Sequence, residues 1–174
     1  EFYAIGHYGV VAQDAQFKFL RLGIPSVAHT DSRLQLLSAS VLSDKDVVVI
    51  SSSSGRLPEL LEVAEKVRER GAKIIAIAAS HSPLIRKADV ALIVDHVEDV
   101  TTHLPMVSRI LHLLVIDMLA VCVAMGRNPG TAGLMSGEAD ERLAEATPVS
   151  KKPAARNQAP GVSLASPLAK LTSH

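Results

Sequence analysis

The segment Val47-Val48-Val49-Ile50, followed by Ser51-Ser52-Ser53-Ser54-Gly55, decides the fold class of this chain. Four consecutive β-branched apolar residues predict a strand that is buried on both faces, which is typical of parallel sheets. Pro58 suits the first position of a helix, and Gly71 suits its exit. The segment therefore predicts a strand, a polar turn and a helix over residues 58–70.

Short apolar runs of the same kind recur along the chain, with helical patterns between them. Strands are predicted at residues 2–5, 26–28, 46–51, 73–79 and 90–94, and helices at residues 10–22, 32–40, 58–70, 83–88 and 104–125. Alternation of strands and helices is the pattern of α/β folds. We expect a three-layer α/β sandwich built on a five-stranded parallel sheet.

Composition and charge narrow the functional classes. The chain has 174 residues, 48% of them hydrophobic, which suits one domain with appendages. The charges of eighteen basic and eighteen acidic residues cancel, so the chain lacks the broad positive field by which proteins bind DNA or anionic membranes. Cys122 is the single cysteine and no signal segment precedes the first strand, so a reducing cytoplasmic setting is expected.

The two ends of the chain differ from its centre. Residues 147–174 are crowded with Pro, Ala, Ser and Lys and have no hydrophobic period, which predicts a disordered tail. Residues 129–146 are predicted to form a short helical extension. The first strand begins at Phe2 with nothing before it to cover the sheet, and we interpret the chain as a fragment of a longer protein.

Two turns are placed to bind a ligand, because open parallel sheets bind ligands at the carboxyl ends of their strands. The first is Gly6-His7-Tyr8-Gly9, a GxxG turn that alone is a weak signal. The second is the serine turn, residues 51–55, which offers hydroxyls, backbone N–H groups and a helix dipole to an anion. It lacks the GK[ST] ending of a nucleotide P-loop, so a monophosphate ester fits it better than ATP.

A Ser-x-Ser-Gly turn after a buried strand resembles the sugar isomerase (SIS) domain family, whose members bind phosphosugars. Within that family the chain resembles the effector domain of RpiR-type transcriptional regulators, particularly the HexR-like branch. The resemblance covers about residues 2–126, and we place the domain at residues 1–128. The further matching motifs are Gly6-x-x-Gly9, Asp14-Ala15-Gln16 with Lys18, Ser82-Pro83-Leu84, Ala88-Asp89, Glu98, and Ser108-Arg109-Ile110 with Ile116-Asp117.

The resemblance implies a flavodoxin-like order of five parallel strands, a homodimer, and a phosphate held by Ser52, Ser54 and nearby backbone. The family pattern usually has Ser or Thr where this chain has Tyr8 and Leu57. A hydrogen bond to a charged group contributes about 1.5–3 kcal/mol, so the loss of both corresponds to on the order of a hundredfold in affinity. Arg56 and His7 are the candidate replacement donors.

Several residues have competing interpretations. The serine turn is either a phosphate site or a polar connection that caps a helix. Glu98 either contacts sugar hydroxyls or acts as a base, or it lies in a solvated loop. The histidines show no recognised metal-ligand spacing, so no metal and no cofactor are expected. Cys122 lies mid-helix among apolar residues and is interpreted as a core thiol.

The helix predicted over residues 104–125 is apolar on more than one face, which exceeds what one sheet face requires. We expect part of it to pack at a dimer interface; the alternative is an ordinary central helix. Residues 110–125 are interrupted by His112 and Asp117 and are shorter than the roughly 20 residues of a membrane span, so no membrane partner is expected.

Two functional hypotheses follow. The first is a non-catalytic sensor that binds a phosphosugar and signals to a helix-turn-helix domain outside this chain, which alone would bind DNA; a longer fusion with a sugar kinase is a further context. The second is an aldose-ketose phosphate isomerase, for which the sequence offers no convincing acid-base pair. The predicted phosphosugar-binding residues are Ser52, Ser53, Ser54, Gly55, Gly6, His7, Tyr8, Arg56 and Glu98, and no catalytic residue is predicted.

Overall fold

A computed structural model of the chain describes residues 1–95 and 106–127. It has five strands and four α-helices: β1 (Phe2–Tyr3), α1 (Gly9–Arg21), β2 (Ala28–His29), α2 (Ser32–Ala39), β3 (Val47–Ser51), α3 (Pro58–Glu69), β4 (Lys73–Ala78), β5 (Val90–Ile93) and α4 (Met106–Arg127). Short 3-10 turns at Gly6–Tyr8 and Ile85–Lys87 complete the described elements.

The five strands form one parallel sheet in the order β2-β1-β3-β4-β5. This is the doubly wound, flavodoxin-like order, and it confirms the predicted fold class. β1 and β3 are neighbours with Tyr3 opposite Ile50, so the chain leaves these adjacent strands at nearly the same height.

Helices cover the sheet on both faces, giving two apolar cores. On one face α3 contributes Leu60 and Val67, which pack with the buried strand residues Val48 and Ile74. On the other face α1 and α4 pack together and on the sheet; that core contains Phe2, Val11, Phe19, Val49, Ile77, Ile116 and Ala120. β3 and β4 are buried along most of their length, which explains their continuous apolar runs.

Three predicted elements differ from the structure. β1 stops at Tyr3 because its pairing with β2 and β3 covers only Phe2 and Tyr3, although Ile5 is still extended and Gly6 then turns the chain with φ +63°. β2 is shifted to Ala28–His29, in register with Phe2 and Tyr3. The helix predicted over residues 83–88 is only a 3-10 turn, since Ala88 is already extended and leads into β5.

α4 continues to Arg127, two residues beyond its predicted end, and its predicted start lies outside the described residues. By length and composition alone it could cross a membrane, with 28% of its most apolar stretch buried in this single chain. Its inner face packs on the sheet and carries the buried polar residues Ser108 and His112. The extension predicted at residues 129–146 and the tail predicted at residues 147–174 also lie outside the described part.

Candidate functional site

The two turns singled out in the sequence lie side by side at the topological switch point of the sheet. β1 and β3 are adjacent, and their following helices, α1 and α3, cover opposite faces. The two turns therefore lead the chain from the carboxyl edge toward opposite faces of the sheet. Crevices at this position are where doubly wound sheets bind ligands.

Hydrogen bonds hold the serine turn against the end of β4. The Ser52 N–H donates to the Ile77 carbonyl at 3.0 Å, and the Ala79 N–H donates to the Ser53 carbonyl at 2.9 Å. Within the turn, the Gly55 N–H donates to Ser52 Oγ at 3.2 Å. The backbone path of the turn is thus fixed by main-chain bonds and one hydroxyl.

Several donors of the serine turn remain available. Within residues 1–95 and 106–127, the N–H groups of Ser53 and Ser54 donate to no protein acceptor. Ser54 Oγ accepts the Arg56 N–H at 3.3 Å, which leaves its own proton free to donate outward. Successive free N–H groups beside a left-handed residue form an anion-binding concavity. The turn therefore has the donor set that a phosphate group needs.

Gly55 is required at its position for two reasons. Its φ is +58°, and a Cβ there would lie 2.5 Å from Ser82 Oγ and 3.1 Å from Ala78 Cβ. Its carbonyl also accepts the Leu84 N–H at 3.1 Å. The neighbouring loop includes His81, a non-glycine residue at φ +58°. The loop after β4 therefore packs directly against the serine turn and leaves no space for a side chain at position 55.

Charge around the serine turn favours an anion. α3 begins at Pro58, and Leu57 before it supplies no side-chain cap for the first N–H groups of the helix. The positive end of the helix dipole is therefore not covered by a capping side chain. The exposed Arg56 guanidinium takes part in no salt bridge with the described residues. Glu59 in the first helical turn is the opposing negative charge.

The first turn presents different chemistry. Gly6 has φ +63° and, with His7, is exposed, whereas Tyr8 is only 8% exposed. The Tyr8 hydroxyl donates to Ser108 Oγ in α4 at 2.6 Å. The sequence had suggested that Tyr8 replaces a phosphate donor; the structure directs its hydroxyl into the protein. His7 is the first-turn side chain left at the surface.

A buried polar cluster lies behind both turns. Ser51, the last residue of β3, places its Oγ 2.8 Å from His112 Nδ1, and the rings of Tyr8 and His112 lie 4.8 Å apart. Ser51, Ser108 and His112 are all nearly inaccessible to solvent. The sequence did not assign this cluster to the site; the available signal was a pair of polar residues at positions i and i+4 of a largely apolar helix.

A cavity of about 700 Å³ lies elsewhere, at the amino-terminal edge of the sheet. Apolar side chains dominate its wall; they include Phe2, Phe19, Ile24, Val49 and Leu119. Among the residues that the structure describes, its lining includes neither turn. The anion donors described above therefore lie at the carboxyl edge, away from this cavity.

The structure gathers most of the predicted binding residues at one edge. Gly6, His7 and Tyr8 come from the turn after β1, and Ser52 to Arg56 from the turn after β3. Glu98, the remaining predicted contact, lies outside the described residues. Ser53 and Ser54 have free backbone N–H groups as well as hydroxyls, and nearby backbone was already among the phosphate donors expected from the sequence.

Two kinds of known protein are similar in sequence to this chain. The chain is 49% identical over 146 residues to the bifunctional protein glk of Burkholderia orbicola, covering 84% of this chain and 22% of that protein. It is 41% identical over 126 residues to the HTH-type transcriptional regulator HexR of Escherichia coli, covering 72% of this chain and 44% of the regulator. The matched part of the chain thus spans about a fifth of the first relative and less than half of the second.

A solved structure shares the fold. The Vibrio vulnificus NanR protein complexed with ManNAc-6P superimposes with a TM-score of 0.68 at 20% identity, covering 83% of this chain and 54% of that one. At this identity the likeness concerns the fold alone. The SIS domain family model matches residues 2–122, which include all five strands and both turns. The chain belongs to the SIS domain family.

Proposed function

We propose that this chain is the phosphosugar-sensing effector domain of a cytoplasmic transcriptional regulator. The serine turn would bind the phosphate of a sugar phosphate, and the signal would pass to a helix-turn-helix domain outside this chain. The observation that carries the proposal is the pair of free N–H groups at Ser53 and Ser54, beside the uncovered N-terminus of α3.

The relatives support the regulatory part of the proposal. One of them is an HTH-type regulator, and the structurally similar NanR protein was solved with a sugar phosphate bound. The longer bifunctional relatives support the further proposal that this module occurs beside a second activity in one chain. Members of the wider family also include isomerases, so catalysis is the competing function.

The proposed contacts fall into two groups. Ser52, Ser54 and the N–H groups of Ser53 and Ser54 would hold the phosphate, with Gly55 allowing its close approach. Arg56 and His7 would reach the ligand from the exposed rim. Tyr8 would support the first turn from inside, because its hydroxyl is already engaged with Ser108.

The same proposal includes a homodimer that forms through the outer face of α4. Exposed apolar side chains recur there every three or four residues: Val107, Ile110, Leu114, Met118, Val121 and Met125. Leu114 is 53% and Met118 is 59% exposed in the single chain. A continuous apolar stripe of this kind is typical of an interaction surface.

Light scattering tests the dimer. It should show a dimer that the Leu114→Glu substitution disrupts, whereas Val41→Glu, on another exposed surface, should leave the dimer intact.

A thermal-shift panel tests the binding claim with glucose 6-phosphate, fructose 6-phosphate and 2-keto-3-deoxy-6-phosphogluconate. At a hundredfold excess over the dissociation constant, a ligand should stabilise the domain by about 2.7 kcal/mol, a rise of roughly 5–10 °C in Tm. Ser54→Ala should reduce the shift, whereas Ser43→Ala, distant from the turn, should not. Absence of a shift with every sugar phosphate would contradict the proposal.

The isomerase alternative is tested in the same samples. Wild-type protein would be incubated with each sugar phosphate, and the aldose-to-ketose ratio would be followed by NMR. A sensor leaves the ratio unchanged even where binding is strong. Progressive conversion that Ser54→Ala abolishes would establish the isomerase in place of the sensor.

A further inference from the structure

We infer that His112 and Ser108 are positioning residues that tie both ligand-facing turns to α4, so that occupancy of the site is transmitted to the outer face of this helix. The inference rests on the proposed function and deepens it. It assigns a structural route between the phosphate site and the apolar stripe of α4.

The two turns reach the same helix through separate hydrogen bonds. Ser51 Oγ, at the entrance to the serine turn, lies 2.8 Å from His112 Nδ1. The Tyr8 hydroxyl, at the end of the first turn, donates to Ser108 Oγ at 2.6 Å. Ser108 and His112 are four residues apart, so they lie on one face of α4, one turn above the other.

Burial makes these bonds costly to break. His112 and Ser108 have no exposed surface, and Ser51 is 3% exposed. A buried polar group that loses its partner cannot recover the bond from water. When either turn moves, these hydrogen bonds therefore tend to stay formed, and α4 moves with the turn.

The geometry of α4 completes the route. The buried positions Ser108, His112 and Ile116 follow one side of the helix, and the exposed stripe that includes Ile110, Leu114 and Met118 follows the other. A helix moves largely as a rigid body, so a shift on the inner side changes the position of the outer side. The link therefore connects the anion site to the face proposed for dimer contacts.

Nucleophilic catalysis is a poor alternative for the Ser51 and His112 pair. A serine hydroxyl hydrogen-bonded to an imidazole is the arrangement found in serine hydrolases, but a reacting atom has to reach the hydroxyl. Here both residues are buried behind the turn. The burial of both side chains fits a structural hydrogen bond between the turn and α4.

The first test removes each bond and measures binding of inorganic phosphate by calorimetry. His112→Leu should weaken binding about threefold to tenfold, the range expected when one hydrogen bond stops holding the serine turn. His112→Asn, whose side-chain amide can take the place of Nδ1, should restore most of the loss. Val67→Ala, in the core on the other face of the sheet, lowers stability without touching α4 and should bind as wild type does.

The second bond is tested by a double-mutant cycle. Tyr8→Phe and Ser108→Ala each remove one partner, so the double variant should bind phosphate no more weakly than the weaker single variant. Additive losses would overturn the assignment of Tyr8 and Ser108 to one positioning contact. Unaltered affinity in His112→Leu would overturn the role of His112.

Transmission is tested by hydrogen exchange in α4. Phosphate should slow amide exchange over residues 106–127 of the wild-type protein, and His112→Leu should abolish the change at saturating phosphate. A ligand-free comparison decides the structural link separately: Ser51→Ala should speed exchange over residues 106–112, and Ser54→Ala should not. If phosphate fails to bind wild-type protein, the proposed function fails and the ligand-free comparison alone decides the link. Unchanged amide exchange over residues 106–112 in the Ser51→Ala variant would overturn the link between the serine turn and α4.

Discussion

The serine turn and the first turn occupy equivalent places in the fold, but the first turn directs its hydroxyl into the protein and the serine turn leaves N–H groups free. Both follow adjacent parallel strands at the carboxyl edge of the sheet. The serine turn leaves the N–H groups of Ser53 and Ser54 without protein acceptors, whereas the first turn donates its Tyr8 hydroxyl inward to α4. This difference supports our proposal that the serine turn makes most of the ligand contacts and that the first turn mainly supports the site from inside.

Their glycines show the same contrast. Gly6 and Gly55 both have positive φ, but a Cβ at Gly6 meets nothing within 4 Å, and one at Gly55 meets Ser82 at 2.5 Å. Gly6 is needed only for its backbone conformation. Gly55 is needed for conformation and for space, because the loop after β4 packs on it.

The largest effect should come from Gly55→Ala. The added methyl group clashes with Ser82 and the backbone is held at positive φ, so we expect a loss of more than about 3 kcal/mol in the free energy of unfolding. Gly6→Ala should lose only about 1 kcal/mol. Urea unfolding measures both, and equal losses would contradict the contrast between the two glycines.

Ser54→Ala should have the next largest effect, on affinity. Removal of one hydroxyl that donates to a phosphate should weaken sugar phosphate binding about tenfold, with little change in stability because Ser54 is exposed. His7→Ala in the first turn should weaken binding only about twofold. Calorimetric titration compares the two variants, and a larger loss at His7 would reverse the roles assigned to the turns.

Arg56→Gln should have a smaller effect that depends on salt. An exposed guanidinium beside the site attracts an anion through solvent, so its removal should weaken binding about threefold at low salt and less as salt screens the charge. Arg68→Gln is the matched control, because Arg68 is an exposed residue further along α3. A salt-independent loss at Arg56 would indicate a direct, shielded contact.

Asp89→Asn should have the smallest effect and should leave both turns unaffected. Asp89 accepts the Ile74 N–H at 2.8 Å and pairs with Lys73, and these two interactions lower the pKa of its carboxyl. A lowered folded-state pKa contributes stability above the unfolded pKa, and this contribution is lost as pH falls through the folded pKa.

The variant should therefore lose about 1 kcal/mol or less at neutral pH, given the exposure of Asp89, and the difference from wild type should vanish in acid. Urea unfolding as a function of pH provides the measurement. Phosphate affinity at neutral pH should match wild type. A pH-independent difference would contradict the role of the Asp89 charge.

Local sequence was sufficient to predict the parts of the fold that local chemistry determines. The continuous apolar run of β3, the turn after it and the start of α3 at Pro58 were all predicted, because each depends on neighbouring residues. The predicted length of β1 was wrong because the strand ends where its pairing with β2 and β3 ends, at Tyr3, and that pairing depends on residues distant in the sequence.

The site was predictable as a turn but not in its orientation. The hydroxyls of the serine turn follow from the sequence, whereas the inward hydroxyl of Tyr8 depends on Ser108, one hundred residues away. The contact between Ser51 and His112 likewise joins positions 61 residues apart. Such pairings follow from the topology of the sheet, and no local pattern specifies them.

The main-chain bonds of the serine turn have a consequence for how ligand preference can change during evolution. Its shape depends on bonds from Ser52 and Ala79 to backbone carbonyls, and two of its proposed anion donors are N–H groups that every residue except proline possesses. Substitution at the exposed positions 56 and 57 therefore leaves these backbone donors in place. We therefore propose that a module built this way acquires a new sugar preference one side chain at a time while its backbone donors to the phosphate are kept.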